Sequence, residues 1–261
     1  MNIYELDLYF RRLLNLEAFA AVDVSQNGLQ VACSDKQIKK VAFAVDACLE
    51  NFSKAAQVGA DVLFVHHGLF WGKSLIVTKR HYERLAALIK NDIALYAVHL
   101  PLDVHPVLGN NAGLAENLGL QNREPFGFYN STALGVKGTI MSYRLPQPNE
   151  GVTLDELLAR LFKNGEQPHI VLPFGKRELK HVGIISGAAS NFIDEAVAEN
   201  LDCFITGEVK HEVYHTALES CITVVGGGHY QTETVGVQLV REKFFADTKL
   251  ETVFLYTPTN L

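Results

Sequence analysis

Seven side chains able to ligate a metal stand at or just after the ends of apolar, strand-like runs: His66, His67, His99, Asp103, Glu208, His229 and Glu233. In "VLFVHHGLFWGK" the run Val62 to Val65 leads straight into two adjacent imidazoles. Two further pairs share one spacing, His99-x-x-x-Asp103 and His229-x-x-x-Glu233. That interval lets a loop or a first helical turn bring both side chains to one point. Imidazole with carboxylate is the donor set of Zn, Fe, Mn, Ni or Co, not of a thiolate site. One catalytic zinc takes only three protein ligands. This larger set suits two divalent ions about 3.5–4 Å apart, sharing a carboxylate and a water. A lone histidine at a strand end is more often a structural, hydrogen-bonded group, and several of His81, His105, His169, His181, His211 and His215 fit that description.

The elements that must position these residues alternate between strand and helix. "KKVAFAVDA" reads as a buried strand, and "LENFSKAAQVGA" as a helix with Leu49, Phe52 and Ala56 on one stripe and Gly59 near its end. "DVLFVHH" is the next strand, His81 to about Lys90 the next helix, and "IALYAVHLPLD" a strand followed by a loop. This βαβαβ order implies a parallel sheet covered by helices. In open parallel sheets, ligands collect at the carboxyl ends of the strands.

The same order returns in "KHVGIISGA", "SNFIDEAVAENL", "DCFITGE" and "CITVVGGGHYQTE". Asn51-Phe52 faces Asn191-Phe192, Asp61 faces Asp202, and His66-His67 faces Gly207-Glu208. An internal duplication follows: an α/β fold of two pseudo-symmetric lobes, residues 1–124 and 178–261, joined by 125–177, with a metal site between them. In the joining segment "STALGVKGTIMSYRL" and "HIVLPF" are strand-like, and "PQPNEG" is a loop. "TLDELLARLFKNG" is a helix with a Thr153/Glu156 capping box and Gly165 as its stop.

Composition narrows the setting. Of 261 residues, 48% are apolar and 20% charged, as in an ordinary globular protein. The net charge of -6 offers no basic footprint for nucleic acid. The four cysteines form no C-x-x-C pair. The N-terminus lacks the basic start and apolar stretch of a signal peptide, and no run reaches the ~18 apolar residues of a membrane span. A cytoplasmic protein is expected. "GGGH" lacks the residues of a phosphate loop and reads as close backbone approach near a strand end. Trp71, with Phe70, reads as core ahead of pocket lining.

The chain resembles the NIF-three-like proteins, often labelled GTP cyclohydrolase type-two homologues. The resemblance is carried by "SQNGLQV", "GADVLFVHHGLFWG", "AVHLPLDVHPVLGNNAGLAENLGL", "ISGAAS", "CFITGEVKHE" and "GGGHYQTETVGVQ". It implies two α/β lobes with a dinuclear metal centre, held by His66, His67, Asp103, His229 and a bridging Glu233. It places His99 and Glu208 beside the centre, where either could shuttle a proton. It further implies a homohexameric toroid and a nucleotide or related heterocycle as substrate, with no membrane partner. Two functions follow from such a site. One is metal-dependent hydrolysis. The other is a ring-shaped metal-binding or chaperone-like factor that catalyses nothing.

Overall fold

The computed structural model describes residues 1–142, 151–163 and 165–261. The chain divides into two compact units, one of residues 1–109 and 236–257, the other of residues 110–235 and 258–261. Most of "PQPNEG", and the end of the strand expected before it, lie outside the described residues.

The first unit opens with α1 (Ile3–Leu14), then β1 (Gly28–Val31), β2 (Lys40–Asp46), α2 (Leu49–Gln57), β3 (Val62–His67), α3 (Lys79–Lys90), β4 (Ala94–Ala97) and α4 (Leu100–Val104). Strands β4, β3 and β2 lie side by side in parallel, as the βαβαβ order requires. β1 closes one edge antiparallel to β4, and the late strand Glu251–Phe254 closes the other parallel to β2. Helix α1 follows from an amphipathic periodicity. Ile3, Leu6, Phe10 and Leu14 recur at helical spacing and are all buried. Asn2 and Glu5 supply a reciprocal capping box. Phe10 packs on Phe64, Tyr96 and Phe244, with ring centroids 4.9–5.2 Å apart. On the other face Leu63 and Val65 meet Phe52 and Leu88.

The second unit contains α5 (Asn110–Leu118), β5 (Gln121–Tyr129), β6 (Thr132–Thr139), β7 (Val152–Thr153), α6 (Leu154–Leu161), β8 (Ile170–Pro173), β9 (Glu178–Leu179), β10 (His181–Ile185), α7 (Ile193–Ala198), β11 (Cys203–Thr206), α8 (Val213–Glu219) and β12 (Thr223–Gly226). Helix α9 (His229–Thr248) starts in this unit and ends in the first. The sheet runs β5-β6-β10-β11-β12-β8, with β10, β11 and β12 parallel and both flanks antiparallel. The Thr153 hydroxyl caps α6 by accepting from the Glu156 amide.

These pairings move the boundaries expected from sequence. The β5–β6 hairpin and β8 are strands of the second sheet, not parts of a separate 125–177 segment. Residues 236–257 belong with the first unit, because Glu251–Phe254 pairs with β2. The antiparallel strands β5, β6 and β8 carry no βαβ signature, so the alternation rule could not assign them, and Glu251–Phe254 reaches β2 only through a long-range parallel pairing.

The two parallel cores repeat one hydrogen-bond frame. Asp61 opens β3 and accepts from the Lys39 and Lys40 amides, while Lys36 Nζ pairs with its carboxylate. Asp202 opens β11 and accepts from the Lys180 and His181 amides, with Lys176 Nζ beside it. The amide of Ala60 bonds Ala55 O as that of Leu201 bonds Ala196 O. In that register Phe52 corresponds to the buried Ile193, one residue away from the Phe192 match read in sequence.

Candidate metal centre

In the first unit the site grows from the ends of β3 and β4. Strand alternation puts His66 on the side of Phe64 and His67 on the side of Val65. At the strand end the two rings are still only 4.6 Å apart, centroid to centroid. The His99 ring lies 5.1 Å from that of His66 and 5.7 Å from that of His67. One ligand nitrogen from each of the three lies within 4.8 Å of the others. Asp103 comes from α4, a single helical turn with Pro101 near its start. Its Oδ1 is 3.5 Å from His66 Nε2, and both residues are buried.

Every one of these rings is oriented through Nδ1. His66 Nδ1 donates to Val98 O at 2.9 Å, His67 Nδ1 to Asp46 Oδ1 at 2.9 Å, and His99 Nδ1 to Asp23 Oδ1 at 3.0 Å. A carbonyl or carboxylate oxygen only accepts, so the proton sits on Nδ1. The neutral ring then carries its lone pair on Nε2, the form that ligates a metal. Asp46 reaches His67 because β2 and β3 pair in register at those residues. Asp23 also accepts from the Ser25 and Leu100 amides and from Asn27 Nδ2. Burial works to raise the Asp23 carboxyl, but His99, Asn27 and Ser25 outweigh it and hold the group below its ordinary value. Asn27 Oδ1 in turn accepts from the His99 amide at 2.7 Å.

In the second unit His229 is the first residue of α9 and Glu233 follows one turn later on the same face. His229 Nε2 is 3.2 Å from Glu233 Oε1, and its Nδ1 is 2.5 Å from Glu208 Oε1. Burial lowers the His229 pKa, but the Glu233 and Glu208 carboxylates prevail and raise it to about 9. A site that draws a proton this strongly also suits a metal cation. Gly187, at φ +67°, packs directly against the nearly buried Glu233 carboxylate. Its turn is tied by amides of Gly207 and Glu208 donating to Gly187 O, and by its own amide donating to Thr232 Oγ1.

The structure therefore groups His66, His67, His99 and Asp103 within the first unit, and Glu208, His229 and Glu233 within the second. The H-x-x-x-acid spacing recurs in sequence, but the backbone register shifts it by one. Val98 donates to Val65 O as Gly227 donates to Thr206 O, so His99 corresponds to Gly228. His99 accordingly precedes its helix, whereas His229 opens one. Asp23, Asn27 and Asp46 were not found from sequence. Asp46 was within reach, since it ends the strand that pairs with β3; Asp23 and Asn27 come from a loop without periodicity. Of the other histidines, His105 is structural: Nε2 donates to Leu13 O, Nδ1 accepts from the Val107 and Leu108 amides, and burial lowers its pKa. Among the described residues no helix is long and apolar enough to cross a membrane.

Fold and site define a mixed α/β protein that gathers imidazole and carboxylate groups at the carboxyl ends of parallel strands. Residues 1–260 match the Duf34/NIF3 (NGG1p interacting factor 3) family, and the chain belongs to it. A protein of Treponema pallidum named "GTP cyclohydrolase 1 type 2 homolog" is 49% identical over 286 aligned residues that cover 100% of both chains. Two solved structures match over 100% of both chains. One is protein ybgI, described as of unknown function, at TM-score 0.88 and 32% identity. The other is TTHA1606 from Thermus thermophilus, at TM-score 0.84 and 35% identity.

Proposed function

We propose that His66, His67, Asp103, His229 and Glu233 together bind two divalent metal ions per chain, and that the protein is a metal-dependent hydrolase of a nucleotide or related heterocycle. The observation that carries this reading is the uniform locking of the ring nitrogens. The proposed ligands His66, His67 and His229 each have Nδ1 on a carbonyl or carboxylate oxygen, the arrangement that leaves Nε2 to face a metal, and His99 shares it, which leaves its Nε2 to face substrate. The structural His105, by contrast, uses Nε2 as its donor. The donor set fits Zn, Fe, Mn, Ni or Co.

Bound there, such ions supply an activated water and polarise a substrate oxygen. The chain's own groups have separable tasks. Asp46 and Val98 O fix the tautomers of His67 and His66. The Gly187 turn packs against the Glu233 carboxylate, which would supply a ligand oxygen to the ions. Glu208 holds the Nδ1 proton of His229, and His99, backed by Asp23, is placed to pass a proton to or from substrate. The names of the relatives support a cyclohydrolase-like reaction, and the same family resemblance supports a homohexameric ring in the cytoplasm.

The test is turnover by the metal-loaded protein on GTP, other nucleoside triphosphates and phosphodiesters. Glu208→Gln and His99→Asn should lower kcat at least about tenfold, while both variants retain their metal. Failure of metal-loaded wild type to turn over any member of the panel would leave metal binding without hydrolysis as its role.

A further inference from the structure

The first unit carries a cavity of about 510 Å³ that the metal assignment leaves unused. That volume falls within the ~300–1,000 Å³ of small-molecule sites. Trp71 and Asp23 form two of its walls, and both touch His99. The Trp71 ring stands edge-on to the His99 ring at 5.0 Å, and Asp23 holds His99 Nδ1. Trp71, expected in the core, is instead partly exposed along this wall, its orientation fixed by Nε1 donating to Gly68 O at 3.0 Å. An aromatic face pinned in this way is a stacking platform for a flat ring.

The polar lining narrows the ligand. Asn27 is spent on His99 and Asp23, whereas the Gln26 side-chain amide is exposed and makes no hydrogen bond within the described residues. It offers a donor and an acceptor side by side to a heterocycle edge. Arg11 is neutralised by Asp7 and Glu17. Lys73, exposed at the rim, forms no ion pair among the described residues. One ring face, one amide edge and one uncommitted cation match one ligand chemistry.

We propose that this cavity binds a planar heteroaromatic compound bearing one anionic group, of nucleoside monophosphate size, and presents it to the His99 edge of the histidine cluster. The proposal deepens the hydrolase reading by giving its substrate a recognition site on the protein, apart from the metal ligands. Trp71 is the only tryptophan in the chain, and its ring lies 6.0 Å from that of His67 as well as on the cavity wall, so its fluorescence reports both sites and calorimetry assigns binding to the cavity.

Guanosine 5′-monophosphate, guanosine and ribose 5-phosphate should be titrated into metal-loaded and chelator-treated protein, with calorimetry beside fluorescence. Guanosine 5′-monophosphate is expected to bind saturably and quench Trp71 in both preparations. Lys73→Gln should weaken it about three- to fivefold, because Lys73 is exposed, and leave guanosine unchanged. Trp71→Leu, scored by calorimetry, should weaken both, and ribose 5-phosphate should bind at least about tenfold more weakly than the nucleotide. The proposal is overturned if no saturable binding occurs up to about 1 mM, if both variants titrate as wild type, or if binding requires the metal. Metal content of each preparation is measured separately, so a failed metal site and a failed cavity give different results.

Discussion

Removing the Asp46 carboxylate tests how far the chain tunes its ligands from behind. Asp46 Oδ1 accepts from His67 Nδ1 at 2.9 Å, and its side chain is 34% exposed. Loss of the carboxylate behind a ligating histidine typically costs 10–100-fold in metal affinity, or ~1.4–2.7 kcal/mol. The partial exposure of Asp46 places Asp46→Ala near the lower bound, because water replaces part of the lost acceptor. Asp46→Asn keeps an acceptor oxygen but loses the charge, and should cost only about threefold, since a neutral acceptor is roughly half as strong. Affinity is read by competition with a chromophoric chelator, and folding by circular dichroism. Both variants binding metal within about twofold of wild type, with the fold intact, would refute the claim that Nδ1 locking prepares His67 as a ligand.

Other perturbations have equally definite outcomes. Asp202→Ala leaves the Lys180 and His181 amides without their acceptor and should lower stability by ~2–4 kcal/mol in urea unfolding, with Lys176 contributing little because it is 73% exposed. Burial alone would raise the Asp61 and Asp202 carboxyls, but amide and lysine partners hold both below their ordinary value. Their stabilisation is therefore complete above the unfolded carboxylate pKa of ~3.9 and is lost as pH falls through the lower folded values, and Asp202→Asn should flatten that acid limb in pH-dependent urea titrations. Gly187→Ala should cost at least ~1 kcal/mol for its positive φ and push Glu233 out of place, so metal content should fall more than thermal stability alone implies. Phe10→Ala opens a void against Phe64, Tyr96 and Phe244 and should cost ~3–5 kcal/mol in the same unfolding assay.

The legible parts of this protein were those in which side-chain chemistry coincides with chain periodicity. β2, β3 and β4 announce themselves as short apolar runs, and His66, His67, Asp103, His229 and Glu233 stand out as candidates because side chains able to ligate a metal sit at the ends of such runs or one helical turn beyond them. The flanking strands did not announce their sheet, because pairing of Glu251–Phe254 with β2 is a long-range choice set by packing. The residues behind the ligands were harder still. Asp23 and Asn27 act through loop hydrogen bonds to His99, 76 and 72 residues away in sequence, and no local pattern encodes such a contact. The match of His99 to His229 read from spacing is offset by one residue in the backbone register of β4 and β12.

The central claim is the proposal that His66, His67, Asp103, His229 and Glu233 bind two divalent ions per chain. Elemental analysis of wild type and Glu233→Ala, purified identically and checked for folding, addresses it directly. Close to two divalent ions per chain are expected in wild type, and one or fewer in the variant. Wild-type protein with no tightly held ion after metal loading, or Glu233→Ala that still carries two, would contradict it.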